Sequence, residues 1–435
     1  MLQQQDLTVT ALGPCRHESP LVFDSPSHER DAHFVSDSMR IRYNVEIGGP
    51  TEPAECDLSF EEAGPREKLF FDPKQTTAAI ATCGGLSPGL NNVIRSVFYE
   101  LADNYKVRRV LGIRNGYLGL NPQSGREPIE LNRQFVEPID KLGGTALGSS
   151  RGPQDPSLVI DFLQSQGVDI LFCIGGDGTQ RGAEKIFLDV QRRGLPISVV
   201  GIPKTIDNDI PFVHQSFGYA TALEKAAEVI RSAHVEARDA VNGVGLVKLM
   251  GRYAGFIAAG ASVISQEVNF TLVPEISFPL DGENGFLAAL ERRMHNRGHA
   301  VVAVAEGAGQ HLFKQPELNE DAAESGRMGD VGVALRDKIV EHFASRGFPI
   351  SMKYLDPSYH IRSVPANAFD RFLCDQMGRH AVHAAMAGKS GMLIGHEHNQ
   401  FINVPIPTAI ARTKQLDVTG DLWRAVLQVT RQPRW

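Results

Sequence analysis

The chain has 435 residues, 42% of them hydrophobic and 22% charged, with a formal net charge of −7; that is enough for two or three domains and a substantial core. An acidic balance without a basic stripe interleaved with aromatics excludes nucleic acid as an expected partner, so anionic ligands must be met by local cations and backbone N–H groups. Five scattered cysteines with no C-x-x-C pair, no secretory signal, and no apolar run near the roughly 20 residues that span a bilayer make an intracellular, cytoplasmic protein the expectation, with no membrane partner.

Residues 1–73 mix scattered charges with Pro and Gly, as in GGPTEPAE at 48–55. They read as an N-terminal extension that drapes over the body or is partly disordered. From Gln75 a grammar repeats: an apolar run, a Gly-rich turn, then a helix-period segment. The run 77–83 leads into GGLSPG (84–89), where Ser87 is the expected N-cap and Pro88 the first helical residue. Leu90, Ile94, Val97 and Leu101 then mark one helical face. The run 170–174 leads into GGDGT (175–179) and a helix with Ala183, Ile186, Phe187 and Val190 on one side, closed by Gly194 and Pro196. The run 197–202 ends in PKTIDND (203–209), 244–250 in GRYAG, and 300–305 in EG. Continuous apolar strands alternating with helices predict an α/β fold of mainly parallel sheets covered on both faces. Ligands in such folds sit beyond the carboxyl ends of the strands, where these loops fall.

The loops differ in what they say. In GGDGT the glycines let a phosphate chain approach the backbone, the helix N-terminus offers free N–H groups, and Asp177 is placed to hold Mg²⁺ directly or through water. A plain strand-to-helix turn with an Asx bond is the competing reading, and GGLSPG divides evenly between the two. In PKTIDND an extended backbone would point Asp207 and Asp209 the same way, one as a base and the other toward a metal. A surface turn rich in Asp and Asn is the alternative there. Arg252, beside Gly251, can offer paired donors to a phosphoryl group, or else form a surface ion pair. Glu306 can accept from a sugar hydroxyl or be a plain turn acid. Lys353, Tyr359 and Arg362 can form a sugar-phosphate pocket or a solvated face, and His360 reads as structural. No G-x-x-x-x-G-K-[ST] is present, nor the H-R-D and D-F-G pair of protein kinases.

In this order, GGLSPGLNN, GYLGL (116–120), LGSSRG (147–152), GGDGTQ, PKTIDND, KLMGRYAGF, PE (274–275), AEG and YHIR resemble the phosphofructokinase family over about residues 75–395. The likeness is greatest to its longer ATP-using branch of plants and kinetoplastids. The resemblance implies two Rossmann-like three-layer lobes with the active site in the cleft between them. One lobe is a nucleotide-binding lobe at 74–219 with a return segment at about 361–411; the other, at 220–360, binds sugar phosphate and carries the tail 412–435. It implies transfer of the terminal phosphoryl of MgATP to the 1-hydroxyl of fructose 6-phosphate in glycolysis, and a homo-oligomer, dimer or tetramer, subject to allosteric control. Asp207 matches the base, with Arg252, Thr205, Asp209 and Lys204 supporting the transferring phosphoryl. Gly85, Tyr117, Arg151, Gly152, Gly176, Asp177, Gly178 and Thr179 match the nucleotide side, with Asp177 the metal ligand. Met250, Gly251, Arg252, Glu306, Lys353, Tyr359 and Arg362 match the sugar-phosphate side, together with Thr205 and Asp207.

Two departures from the family pattern qualify this. Lys204 stands where short bacterial ATP enzymes have Gly and pyrophosphate enzymes have Lys. Gly178 stands where pyrophosphate enzymes have Asp, and its open space favours ATP. The arginine nine residues before Arg252 in short bacterial enzymes falls here on Gly243, with Arg238 a possible substitute. The alternatives are a pyrophosphate-dependent enzyme, an inactive regulatory relative, or another kinase class that shares GGDG.

Overall fold

The computed structural model describes residues 2–22, 34–45, 57–313 and 328–435. They divide into two units: Met1–Ile206, Ile210–Gly218 and Ser363–Arg412 form the first, and Asp207–Asp209, Tyr219–Arg362 and Thr413–Trp435 the second. Among the described residues no helix is long and apolar enough to cross a membrane. Cys15, Cys83, Cys173 and Cys374 are free thiols, and Cys56 lies outside the described residues.

The strands Thr77–Thr82, Ile170–Gly175 and Ser198–Pro203 are buried at every position. That is the signature of strands covered on both faces. Side chains alternate between two cores: Ile80, Phe172 and Ile202 enter one, and Ala79, Leu171 and Val199 the other. These strands pair in parallel, flanked in parallel by Arg109–Ile113 on one side and Met392–Glu397 on the other. The edges turn antiparallel through Ile129–Glu130 at one end and Gln400–Pro405, Ser59–Glu62 and Arg40–Arg42 at the other. The predicted parallel sheet therefore holds for the centre and not for the rims.

The described part of the N-terminal region packs on the body as a draped extension would, and joins its sheet as well. It supplies two of those edge strands, and Leu7, Leu58 and Phe60 enter the second core. A buried ion network fixes it: Arg66 pairs with Glu61 at 3.1 Å, and Lys389 with the same carboxylate at 3.0 Å. The stretch 48–55 lies outside the described residues.

The helix faces read from periodicity are buried: Leu90, Ile94, Val97 and Leu101 on one, Ala183, Ile186, Phe187 and Val190 on the other. The start of the first helix is corrected. It runs Leu90–Tyr99, with Gly89 at the cap in a left-handed conformation (φ 103°), and the Ser87 hydroxyl donates to the Phe217 carbonyl at 3.3 Å instead of capping. A β-carbon at Gly89 would lie 2.6 Å from the Cys374 sulfur, so only glycine closes this turn.

The second unit holds four parallel strands in the order Phe270–Leu272, His299–Ala305, Gly243–Leu249, Ser351–Leu355. Helices Phe286–Arg297 and Val331–Ser345 close one core with Leu246, Phe270, Val302 and Val304. The long helix Tyr219–Asp239 packs on Gly243–Leu249. A β-carbon at Gly243 would lie 2.7 Å from Ala237 Cα. The position thus has no room for a side chain here.

Two buried imidazoles bear on how the first unit should respond to acid. His380 stacks on Phe401 with ring centroids 4.4 Å apart, and burial, reinforced by the neighbouring His396, lowers its pKa to about 4. His383 shares a 2.9 Å hydrogen bond with the Tyr105 hydroxyl and is likewise held neutral by burial. A folded-state pKa below the unfolded value near 6.5 means that the unfolded chain takes up protons first as pH falls. Stability should therefore be full above about pH 6.5 and decline toward pH 4, by up to about 3 kcal/mol from His380. Unfolding midpoints at pH 7, 6 and 5 should fall progressively, and less steeply for His380→Gln. A midpoint independent of pH in this window would contradict the assignment.

Candidate active-site residues

In the first unit, strand register decides which loops meet. Thr82 is opposite Ile174 and Gly175 is opposite Pro203, so the turns after all three strands emerge side by side. Backbone bonds continue the alignment past the strand ends, from the Cys83 N–H to the Ile174 carbonyl (2.9 Å) and from the Lys204 N–H to the Gly175 carbonyl (3.0 Å). Lys204 is buried, and its ammonium donates to the Gly85 carbonyl at 2.7 Å, tying the third turn to the first. The 147–152 loop is pinned onto the same place: the Gly84 N–H donates to the Ser150 carbonyl (3.0 Å) and the Ser149 hydroxyl to the Gly84 carbonyl (2.6 Å). Arg151 and Gly152 stay exposed, with the Arg151 guanidinium 3.7 Å from where a Gly85 β-carbon would stand.

Asp177 opens the helix Asp177–Arg192, capped by Gly176. Its side chain is 57% exposed and paired with Arg181 at 2.9 Å. A β-carbon on Gly178 would meet nothing within 4 Å, and Thr179 is buried. Tyr117 lies under the loop: it is buried, its hydroxyl donates to the Thr179 carbonyl at 2.7 Å, and its ring packs on Gly182. Gly85, Arg151, Gly176, Asp177, Gly178 and Thr179 thus share one end of the sheet, with Tyr117 as support beneath. The ensemble is exposed helix-terminal N–H groups, one carboxylate and two guanidiniums, Arg151 and the Arg181 that pairs with Asp177, which is suited to a polyphosphate.

The segment 203–209 does not continue as a strand. Pro203 ends it, the Thr205 carbonyl accepts from the Ser216 hydroxyl at 2.6 Å, and Asn208 is left-handed (φ 59°). Extended alternation therefore does not apply to Asp207 and Asp209, and their shared direction cannot rest on it. Residues 207–209 group with the second unit, where the Asp207 carboxylate accepts the Arg252 N–H at 3.4 Å and the Asp209 carbonyl accepts the Lys414 N–H at 2.8 Å.

In the second unit Leu249 pairs with Ala305, which sets the Met250–Gly255 turn beside Glu306 and Gly307. Gly251 has φ 131°, and a β-carbon there would lie 2.6 Å from the Ala254 carbonyl oxygen; its own carbonyl accepts the Gly307 N–H at 3.0 Å. Met250 is buried. The Arg252 guanidinium lies 5.1 Å from the Tyr253 ring centroid, and that of Arg362 4.5 Å from the exposed Tyr359 ring. Glu275 caps the helix Phe256–Ser265, accepting the Gly255 N–H at 2.9 Å and the Leu416 N–H at 2.9 Å.

Burial pushes the Glu306 carboxyl up, against the pull of Lys248 and Arg252; Asp356 adds to the rise, and Arg362 opposes it. Arg252, Glu306 and Arg362 therefore share one electrostatic neighbourhood. Lys353 is turned elsewhere, 3.9 Å from Glu236 on the long helix. Arg238 lies 3.8 Å from its neighbour Asp239, and His360 is exposed.

Sequence reading missed Lys248, Asp330 and Asp356. Lys248 lies within the quoted KLMGRYAG stretch, and a lone cation in an apolar run was the available signal, since such a group needs carboxylate partners.

A parallel α/β scaffold with glycine-rich turns at its strand ends is the architecture of a broad class of nucleotide- and phosphate-binding proteins. The chain belongs to the phosphofructokinase family, whose model, described as phosphofructokinase, matches residues 77–385. It is 44% identical over 434 residues to the ATP-dependent 6-phosphofructokinase of Borreliella burgdorferi, covering 98% of this chain and 97% of the relative. It is 43% identical over 434 residues to that of Trypanosoma brucei brucei, covering 98% and 88%. Among solved structures, the pyrophosphate-dependent phosphofructokinase from Marinobacter aquaeolei shares the fold, with a TM-score of 0.67 at 23% identity over 81% of this chain and 91% of that one.

Proposed function

We propose that this chain is an ATP-dependent 6-phosphofructokinase, moving the terminal phosphoryl group of ATP to the 1-hydroxyl of fructose 6-phosphate. The observation that carries the reading is the likeness, along almost its whole length, to enzymes of that name. The open space at Gly178 supports ATP as donor, because nothing there crowds an α-phosphate.

In this reading the first unit receives the nucleotide through Gly85, Arg151, Gly152, Gly176, Asp177, Gly178 and Thr179, with Tyr117 holding the Thr179 backbone. The second unit receives the sugar phosphate through Met250, Gly251, Arg252, Glu306, Tyr359 and Arg362, and Lys353 joins them only by giving up its 3.9 Å contact with Glu236. Asp207 accepts the proton of the sugar 1-hydroxyl as its oxygen bonds to the γ-phosphorus and the bond to ADP breaks. Arg252, Thr205, Asp209 and Lys204 support the charge on the transferring group.

Mg²⁺ fits the residues present. Asp177 offers one half-exposed carboxylate at a helix start, and magnesium is commonly held by one or two carboxylates plus substrate phosphates. The ion would neutralise charge on the triphosphate. The protein is proposed to be cytoplasmic, a homo-oligomer, and allosterically controlled.

A second reading, pyrophosphate as donor, draws on Lys204. Purified protein assayed with fructose 6-phosphate and either donor decides between them. ATP should give turnover at least about tenfold above pyrophosphate, equivalent to roughly 1.4 kcal/mol in the barrier. The reverse preference would overturn the donor assignment, and turnover with neither would overturn the reading as a whole.

A further inference from the structure

We propose that Lys248 is a positioning residue, a buried ammonium that clamps the short helix Ser358–Arg362 so that Tyr359 and Arg362 are presented in a fixed orientation. The use of those two residues for sugar phosphate rests on the functional reading above; the clamp itself does not.

The geometry is a three-way junction. Lys248, on the strand Gly243–Leu249, has a side chain only 12% exposed. Its ammonium lies 2.9 Å from Asp356 Oδ2 and 3.1 Å from both oxygens of Asp330. Each acid is in turn committed to a helix start. Asp356 Oδ1 accepts the Ser358 hydroxyl at 2.6 Å and its N–H at 3.2 Å, and so caps the helix bearing Tyr359 and Arg362. Asp330 Oδ1 accepts the Val333 N–H at 3.2 Å and caps Val331–Ser345. One cation therefore joins a central strand to two helix caps.

A five-residue helix has too few internal hydrogen bonds to hold itself, so its orientation must come from its anchor. Burial disfavours the charge on Lys248, yet the hydrogen bonds it donates to Asp356 and Asp330 more than offset this and hold its pKa above the ordinary lysine range. For Asp356, burial is likewise outweighed by Ser358 and Lys248, and its carboxyl is held below the usual range. Both ends of the clamp are thus charged at neutral pH. Removing the ammonium leaves Asp330 and Asp356, whose side chains are 48% and 38% exposed, without their shared counter-ion, so water screens part of the loss but the two helix starts are no longer tied to the strand.

The test compares wild type, Lys248→Met and Lys248→Arg by two readouts. Amide hydrogen exchange is measured in the substrate-free full chain. Lys248→Met should accelerate exchange at residues 358–363 by about tenfold, the change expected when about 1.4 kcal/mol of local stability is lost, while the buried strand Ile170–Gly175 stays unchanged. Lys248→Arg should restore most of the protection. Unaltered exchange at 358–363 in a folded Lys248→Met protein overturns the clamp, whatever the enzyme does.

In the kinetic assay, Lys248→Met should raise KM for fructose 6-phosphate about tenfold, leave KM for ATP within about twofold, and recover with Lys248→Arg. An equal rise in both KM values, or no rise in the first, overturns the link from clamp to substrate. Absence of fructose 6-phosphate turnover in wild type refutes the functional reading and leaves the exchange result to judge the clamp.

Discussion

Asp207→Asn should lower kcat by about 10²–10⁴ while fructose 6-phosphate binding persists, the loss expected when a positioned general base is removed. Asparagine keeps the shape of the side chain and an oxygen that can accept the Arg252 N–H, a 3.4 Å contact in the wild type. It lacks the basicity to take a proton from a sugar hydroxyl. The turn around it is set by the left-handed Asn208 and by the Lys414–Asp209 backbone bond, neither of which the change touches. Steady-state kinetics with saturating ATP, alongside an unfolding midpoint within about 2 °C of wild type, separates chemistry from folding. A kcat within threefold of wild type would remove Asp207 from the role of base.

Gly178→Asp should raise KM for ATP by about 10–100-fold, leave KM for fructose 6-phosphate within about threefold, and cost no stability. A β-carbon at this position meets nothing within 4 Å, so the side chain is accommodated without repacking. The position lies in the first turn of Asp177–Arg192, where an acid is favoured by the helix dipole by roughly 0.3–1 kcal/mol and glycine is a poor helix former. The penalty falls on the ligand: two like charges about 4 Å apart repel by about 4 kcal/mol at a surface-type dielectric, before salt screening and movement of the side chain reduce it. A KM for ATP equal to wild type would show that the nucleotide does not pass this helix start.

Much of this was legible in the sequence because it depends on short-range rules. Buried runs such as TAAIAT and SVVGIP declare strands covered on both faces, and the apolar rows on the helices declare their inward sides. The placing of GGDGT between a strand and a helix needed nothing more. What escaped reading depends on distant partners. Ser87 looks like a cap by local preference, but the space around Gly89 is set by Cys374 and Phe217, far along the chain. Lys248 looks like one more residue of a motif until Asp330 and Asp356 fold onto it. The extended reading of 207–209 failed for a different reason, a left-handed Asn208 that local composition permits without requiring. The edge strands from the N-terminal region are short, and only their partners make them strands.

The central sheet of the first unit joins the strand Ser198–Pro203 to Met392–Glu397, and the Ser198 hydroxyl donates to the carbonyl of Lys389, 191 positions later. A ribosome therefore completes the segment Tyr219–Arg362 of the second unit before this seam can close. Throughout that interval the nascent chain carries a bare, mostly apolar strand margin of the kind that recruits other chains. That margin stays uncovered until Met392–Glu397 has been synthesised, so the order in which the chain emerges is part of the folding problem of this sheet.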